Sequence, residues 1–443
     1  MNGGTKIALG VILGVVLAFS VAGISYYFPS SNEQSSATQT DETLSLPSFS
    51  VTSTKEAPRQ PIYSMYFSTK LSNITLREDG TIEPQDAPIQ RDGDVYTLID
   101  DVVNRTVRVE RDNVVIDGAG HSIQGFITNA RYAADGIVLQ DISNVTLMNM
   151  EVTQFWSGVS VTSCSDITIT GTNVTDIGSK AIMFDSCNSI VVSDNTVDNV
   201  AVAIEIGNLT GRSETVNSMV ARNSITNAAQ GITMDSSFST ITENSVGNIY
   251  LQIGARGNQT TISKNRLVNG ISGIMITGSN YSVYGNSVTN FSESGITFNV
   301  GANSSIYEND VSCSESAIII RNSGGSVIEQ CTFYHNNFVN NTQTVQVESP
   351  SSQNYWDNGS EGNYWSNYNE TDSNGDGVGD ISYVIDDNNI DRYPLMSRYE
   401  TVQQSNQLLW VHLGILGLAA FGVIVMGITL VSGRTKSKPT SEK

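Results

Sequence analysis

The sequence predicts an all-β chain whose middle winds into a parallel β-helix of about nine to eleven coils, with a membrane-spanning helix at each end. Three observations predict it. A small residue recurs at a spacing close to 22, three aliphatic stripes run in step with it, and long apolar runs bracket the whole. A fixed period of that size marks a solenoid.

At the N-terminus, Ile7 to Phe28 holds no charged residue and follows Lys6. The run is long enough to cross a bilayer. Small residues at Ser20, Val21 and Ala22 also suit a cleaved signal peptide, so residues 1–28 read as an anchor or a leader. Residues 29–57 are rich in Ser, Thr and Gln and too poor in large apolar groups for a core, which makes them a linker. Residues 58–112 read as a cap on the first coil.

Residues 113–344 carry the repeats. Gly136, Gly158, Ala181, Ala203, Gly231, Gln252, Gly273, Gly295 and Ala317 open nine units, and Gln252 is the exception to the small-residue rule. The first stripe begins at Ile137 and ends at Ile318. The second runs from Leu147 to Ile328, and the third from Val152 to Phe333. β-Branched residues dominate, and apolar positions alternate with period two, as strands require. Three short strands per unit make a parallel β-helix.

Asparagine adds a second periodicity. Asn195, Asn223, Asn244, Asn265, Asn286 and Asn309 share one register position, and Asn199, Asn227, Asn248, Asn269 and Asn290 sit four residues later. Buried side-chain amides stacked at such turns can bond coil to coil, so both sets are expected to be structural, the first as a ladder. Cys164 and Cys187 stand six residues past their openers. Neighbouring coils lie ~4.8 Å apart, within disulfide reach, and an oxidising exterior would permit the bond. Cys313 and Cys331 share no register position.

Residues 345–396 read as the C-terminal cap. In TDSNGDGVGD, Asp372, Asn374, Asp376, Val378 and Asp380 follow the ligand order of a calcium loop, with Gly377 at the sharp turn. Tyr383 stands where the bidentate Glu belongs, so the loop could equally be an empty acidic turn. Calcium here would be structural, pinning a plug over the open end of the solenoid. Two NYW triplets precede the loop, and Trp356 and Trp365 either fill that plug or stack on sugar rings. After a linker at 397–407, Leu408 to Val431 is a second membrane-length run, followed by a basic tail at 432–443. Positive flanks at both ends place the termini in the cytoplasm and the middle outside the cell. Twelve Asn-x-Ser/Thr sequons would then be exposed to glycosylation, although the ladder register makes Asn290 a poor acceptor. The net charge of −21 argues against nucleic acid.

The stretches LREDGTIEPQDAPIQRDGDVYTLIDD and VVIDGAGHSIQG, the Gly-Ile and Asn repeats, GNYWSNYNETDSNGDGVGD and DRYPLM resemble archaeal cell-surface proteins of the NosD-like and CASH (carbohydrate-binding-and-sugar-hydrolase) repeat families. The resemblance covers about residues 64–396. It implies a right-handed parallel β-helix, and much less about activity, because that fold hosts lyases, hydrolases, epimerases, adhesins and copper-maturation factors. Copper handling would need clustered His, Cys or Met. The repeat region and its caps hold only His121 and His335, far apart in sequence.

Any active site is expected on an exposed sheet face. Asp185, Glu205, Asp235 and Arg256 fall on four consecutive coils of one such face. Two coils would put Asp185 and Asp235 ~10 Å apart, a separation that suits an inverting acid/base pair. The unit that opens at Ala203 is longer than its neighbours, with the excess just after Glu205. A plain polar stripe, with Asp235–Arg256 as an ordinary cross-strand pair, accounts for the same residues. No Lys or His is placed nearby as a base. The leading expectation is therefore a non-catalytic, monomeric surface protein that binds glycan or envelope components. A polysaccharide-processing enzyme and a metal-delivery factor are the alternatives.

Overall fold

Alternating β-branched residues leave one face of each strand apolar, and stacking coil on coil buries that face. The computed structural model describes residues 72–128, 131–207, 215–321, 328–348 and 352–400, and every regular element among them is a strand. Both terminal apolar runs, the linker 29–57, the basic tail and the extra residues after Gly207 lie outside the described residues. So no described helix is long and apolar enough to cross a membrane.

The strands pair in parallel and in register. In the first stripe Ile137, Val159, Ile182, Ile204 and Ile232 are consecutive partners, all fully buried. A one-residue slip would turn a whole coil inside out, so burial fixes the register. The stripe also reaches further than predicted. Ile74 and Val107 precede Ile137, and Val345 follows Ile318. Residues 72–112 thus belong to the stack as well as to a cap, and so does the start of the 345–396 segment. The small openers have a steric cause: a Cβ on Gly273 would lie 2.5 Å from the carbonyl oxygen of Gly295 on the next coil.

The last predicted unit is out of register. Phe333, not Ile328, continues the second stripe by pairing with Ile306, and Phe338, not Phe333, continues the third by pairing with Val311. The coil after Asn309 is stretched, its ladder partner lying 27 residues on. A fixed period therefore misplaces the positions beyond it.

The Asn ladder forms as predicted. From Asn195 to Asn309 each Nδ2 donates to Oδ1 of the next Asn at 2.9–3.0 Å, and each of those Oδ1 atoms also accepts a backbone N–H. It continues through Asn336 and Asn363, which a 22-residue period does not find. The row at Asn199, Asn227, Asn248, Asn269 and Asn290 is different. Each takes positive φ at a corner, where Asn is tolerated best among residues with a side chain. Asn290 bonds Asn269 in this exposed row.

Cys164 and Cys187 are buried free thiols, not a disulfide. Each donates to the carbonyl two residues back, at 3.2–3.3 Å. Cys187 Sγ also accepts from Cys164 N at 3.3 Å, so the two thiols are neighbours held by backbone groups and not joined to each other.

Candidate functional site

The C-terminal end of the solenoid is closed by its own aromatics. Trp365 pairs with Phe338 and extends the third stripe, while Tyr355 bridges to Thr332 and carries Trp356 in beside Phe333. Both indoles are fully buried, so neither can stack on a sugar. The plug reading stands and the sugar-stacking one is corrected. The hairpin of Tyr383–Asp386 and Asn389–Asp391 then ends two polar columns. Asn389 accepts from Asn354 N and Trp356 Nε1, and Asp391 accepts from Asn363 N and Trp365 Nε1. Burial raises the Asp391 carboxyl to about 6, against the pull of these donors.

The acidic loop lies between Trp365 and that hairpin. Gly375 (φ 73°) and Gly377 (φ 88°) turn it through left-handed conformations. Asp372 accepts from Gly375 N and Gly377 N, Asn374 from Asp376 N, and Asp376 from Val378 N. These oxygens are the hard donors that calcium takes. Asp380 departs from the set, because its Oδ2 accepts from Ser373 N and Oγ at 2.9 and 2.7 Å. Tyr383, at the place of the missing Glu, stacks on Trp365 at 4.2 Å, so packing uses the position that would close the ligand set. Among the described residues no group of three or more His, Cys, Asp or Glu is arranged to hold a metal. His121 faces Asp101 and His335 faces Glu361, in coils at opposite ends of the stack.

The predicted sheet face is built from the strands Asn173–Asp185, Thr196–Gly207, Ser224–Ser237 and Ser245–Arg256. Met183, Glu205, Thr233 and Gly254 are consecutive partners. Asp185 pairs with Gly207 and Asp235 with Arg256, and a Cβ on Gly207 would meet Cβ of Asp235 at 2.9 Å. Gly207 therefore lies between the two aspartates, with Asp235 packed too close to it for a side chain. Asp235 and Arg256 are 3.6 Å apart and about half exposed. Asp185 accepts from Ser186 Oγ at 3.1 Å.

Lys180, absent from the predicted site, stands here as well, with Nζ 2.8 Å from Glu205 Oε1. Lys180 stands one residue before its opener and pairs with Val202, so it shares the register of the face but falls outside the second and fourth positions taken as outward. Further along, Trp156 is 37% exposed with Tyr132 edge-on at 6.1 Å. Beside it Asp135 pairs in register with Ser157, and burial raises its carboxyl. The face thus offers an exposed indole, a lysine, an arginine and several carboxylates along one row of coils, a set suited to hydroxyl-rich ligands.

Comparison with known proteins agrees with this architecture. A family model described as right handed beta helix region matches residues 112–267, and one described as periplasmic copper-binding protein (NosD) matches residues 216–370. Both support a right-handed β-helix. Solved structures with similar folds include the A-module of mannuronan C-5 epimerase AlgE6 from Azotobacter vinelandii (12% identity, 59% of this chain, 80% of that chain, TM-score 0.44). Others are an exopolygalacturonase from Thermotoga maritima (10%, 60%, 83%, 0.40) and DFA-IIIase from Arthrobacter chlorophenolicus A6 (13%, 56%, 66%, 0.38). No curated protein matches. Likeness this distant carries no chemistry.

Proposed function

We propose that the protein is a membrane-anchored, extracellular β-helix that binds a glycan along the sheet face around Glu205 without cleaving it. The observation that carries this reading is the commitment of the face's charges. Glu205 is paired with Lys180, Asp235 with Arg256, and Asp185 accepts from a hydroxyl. Asp235 is also half exposed, and a general acid needs a partly desolvated setting. Charged groups held by neighbours on a rigid sheet suit binding of hydroxyls better than proton transfer. The test is retention of neutral and acidic polysaccharides by the full chain, wild type against an Asp185→Ala/Asp235→Ala variant. Loss of retention in the variant supports this face as the binding surface. Equal retention by both removes it.

The second reading is a polysaccharide hydrolase, lyase or epimerase. Lys180 beside Glu205, a cation next to a carboxylate on the same face, is the feature that favours it. Metal delivery is a weaker proposal, because the two described histidines are separated and each faces a carboxylate. The terminal apolar runs would anchor the chain, with both ends cytoplasmic, the β-helix outside as a monomer, and envelope components as its partners. Calcium would be structural. Asp372, Asn374, Asp376 and the Val378 carbonyl would hold it, with Asp380 turning from Ser373 to join them.

A further inference from the structure

The C-terminal cap carries a pocket of about 290 Å3 that the sheet-face chemistry does not use. It exists because strand alternation that sends Trp356 inward turns Tyr355 outward. Tyr355 is 53% exposed and Ile390 37% exposed, and both line the pocket. They supply apolar surface beside a polar wall of Arg392, Asp387 and Gln353.

That wall is partly pre-set. Arg392 places Nε and Nη2 on the two oxygens of Asp357 at 2.9 and 2.6 Å. Asp357 is itself buried, and Gly359 N also donates to it. Burial opposes its charge, but the guanidinium and backbone donors outweigh burial and hold the carboxyl below its usual range. The guanidinium is thus fixed in place and neutralised from behind, and among the described residues Nη1 makes no hydrogen bond. Asp387 adds an exposed negative charge at the same wall.

We infer that this pocket binds a single neutral pyranose unit, such as the terminal hexose of an oligosaccharide. An exposed phenol ring takes the C–H face of a sugar, while carboxylate, carboxamide and guanidinium groups bind its hydroxyls. The volume lies at the small end of ligand pockets, enough for one ring rather than a chain. A uronate is disfavoured, because Arg392 is already paired with Asp357 and Asp387 repels a second carboxylate. The inference shares its ligand class with the glycan-binding reading but not its surface. Six coils at ~4.8 Å each put the pocket roughly 30 Å from Glu205.

The test uses the full chain in a detergent without sugar headgroups and saturation-transfer NMR. The probes are methyl glucoside, methyl mannoside, methyl galactoside and sodium galacturonate. At least one neutral glycoside is expected to bind, and the uronate is not. Tyr355→Ala should weaken that binding at least tenfold, and Asp387→Asn, an exposed near-isosteric change, at least threefold. Asp166→Asn, an exposed change outside both surfaces, should bind as wild type does. Unchanged binding in both cap variants overturns the inference while leaving the sheet-face reading intact. So does binding lost only in the Asp185→Ala/Asp235→Ala variant. Wild type that binds no neutral glycoside also overturns it, and polysaccharide retention then judges the other reading separately.

Discussion

Trp365 Nε1 donates to Asp391 Oδ2 at 2.8 Å inside the closed end of the solenoid. Asp391 stands where the Asn ladder would need its next member, accepting from Asn363 N at 2.8 Å. One carboxyl therefore ends the ladder and holds the plug.

This gives the cap a defined pH dependence. Folding raises the Asp391 carboxyl from 3.8 to about 6. Between those values the folded state holds a proton that the unfolded chain has released, so stability falls as pH rises through that window. The contribution is on the order of 3 kcal/mol, fully present below about pH 4 and lost above about pH 6. Chemical denaturation from pH 4 to 7 should show wild type losing stability relative to Asp391→Asn. A parallel pair of pH profiles would refute the link.

The ladder itself should be costly to break. Asn265→Ala leaves Asn244 N and Nδ2 without their Asn265 acceptor and Ile241 O without its Asn265 donor, deep in the core. Each unsatisfied buried group costs about 1–3 kcal/mol, so a total loss of about 2–4 kcal/mol is expected. Asn269→Gly, in the exposed row, keeps the positive φ without strain and should cost less than about 1 kcal/mol. Urea denaturation of the two variants distinguishes them, and equal losses would contradict the ladder's role.

Most of this fold was legible in the sequence, because buried stripes force a strict period. Ile137 to Ile318 stack as the spacing predicts. Where the coil stretches after Asn309, the period fails, and Phe333, Asn336 and Asn363 had to be seen in space. Trp356 and Trp365 illustrate the same limit, since an aromatic before a cap reads equally as plug or platform until its burial is known. In the sheet face, Asp185, Glu205, Asp235 and Arg256 were legible as outward positions on successive strands. Lys180 was not, because it stands one residue before its opener, outside the second and fourth positions taken as outward. The Cys164–Cys187 stack was legible as adjacency, but the backbone hydrogen bonds that hold each thiol were not.

Calcium should raise the melting temperature. The loop is already bent around Asp372, so binding would need only Asp380 to turn. A ligand that binds only the folded state stabilises it in proportion to the logarithm of its concentration over Kd. Differential scanning calorimetry with calcium and with chelator should differ for wild type and coincide for Asp376→Ala. Wild type that melts alike in both conditions would show the loop to be an acidic turn.

The measurement that decides between binding and catalysis is product release. The full chain would be incubated with neutral and uronate-containing polysaccharides while reducing ends, unsaturated sugars and C5 inversion are followed. With Glu205 held by Lys180 and Asp235 by Arg256, glycan should be retained and no product should form. Turnover that disappears in Asp185→Ala/Asp235→Ala would contradict this and make the face around Glu205 an active site.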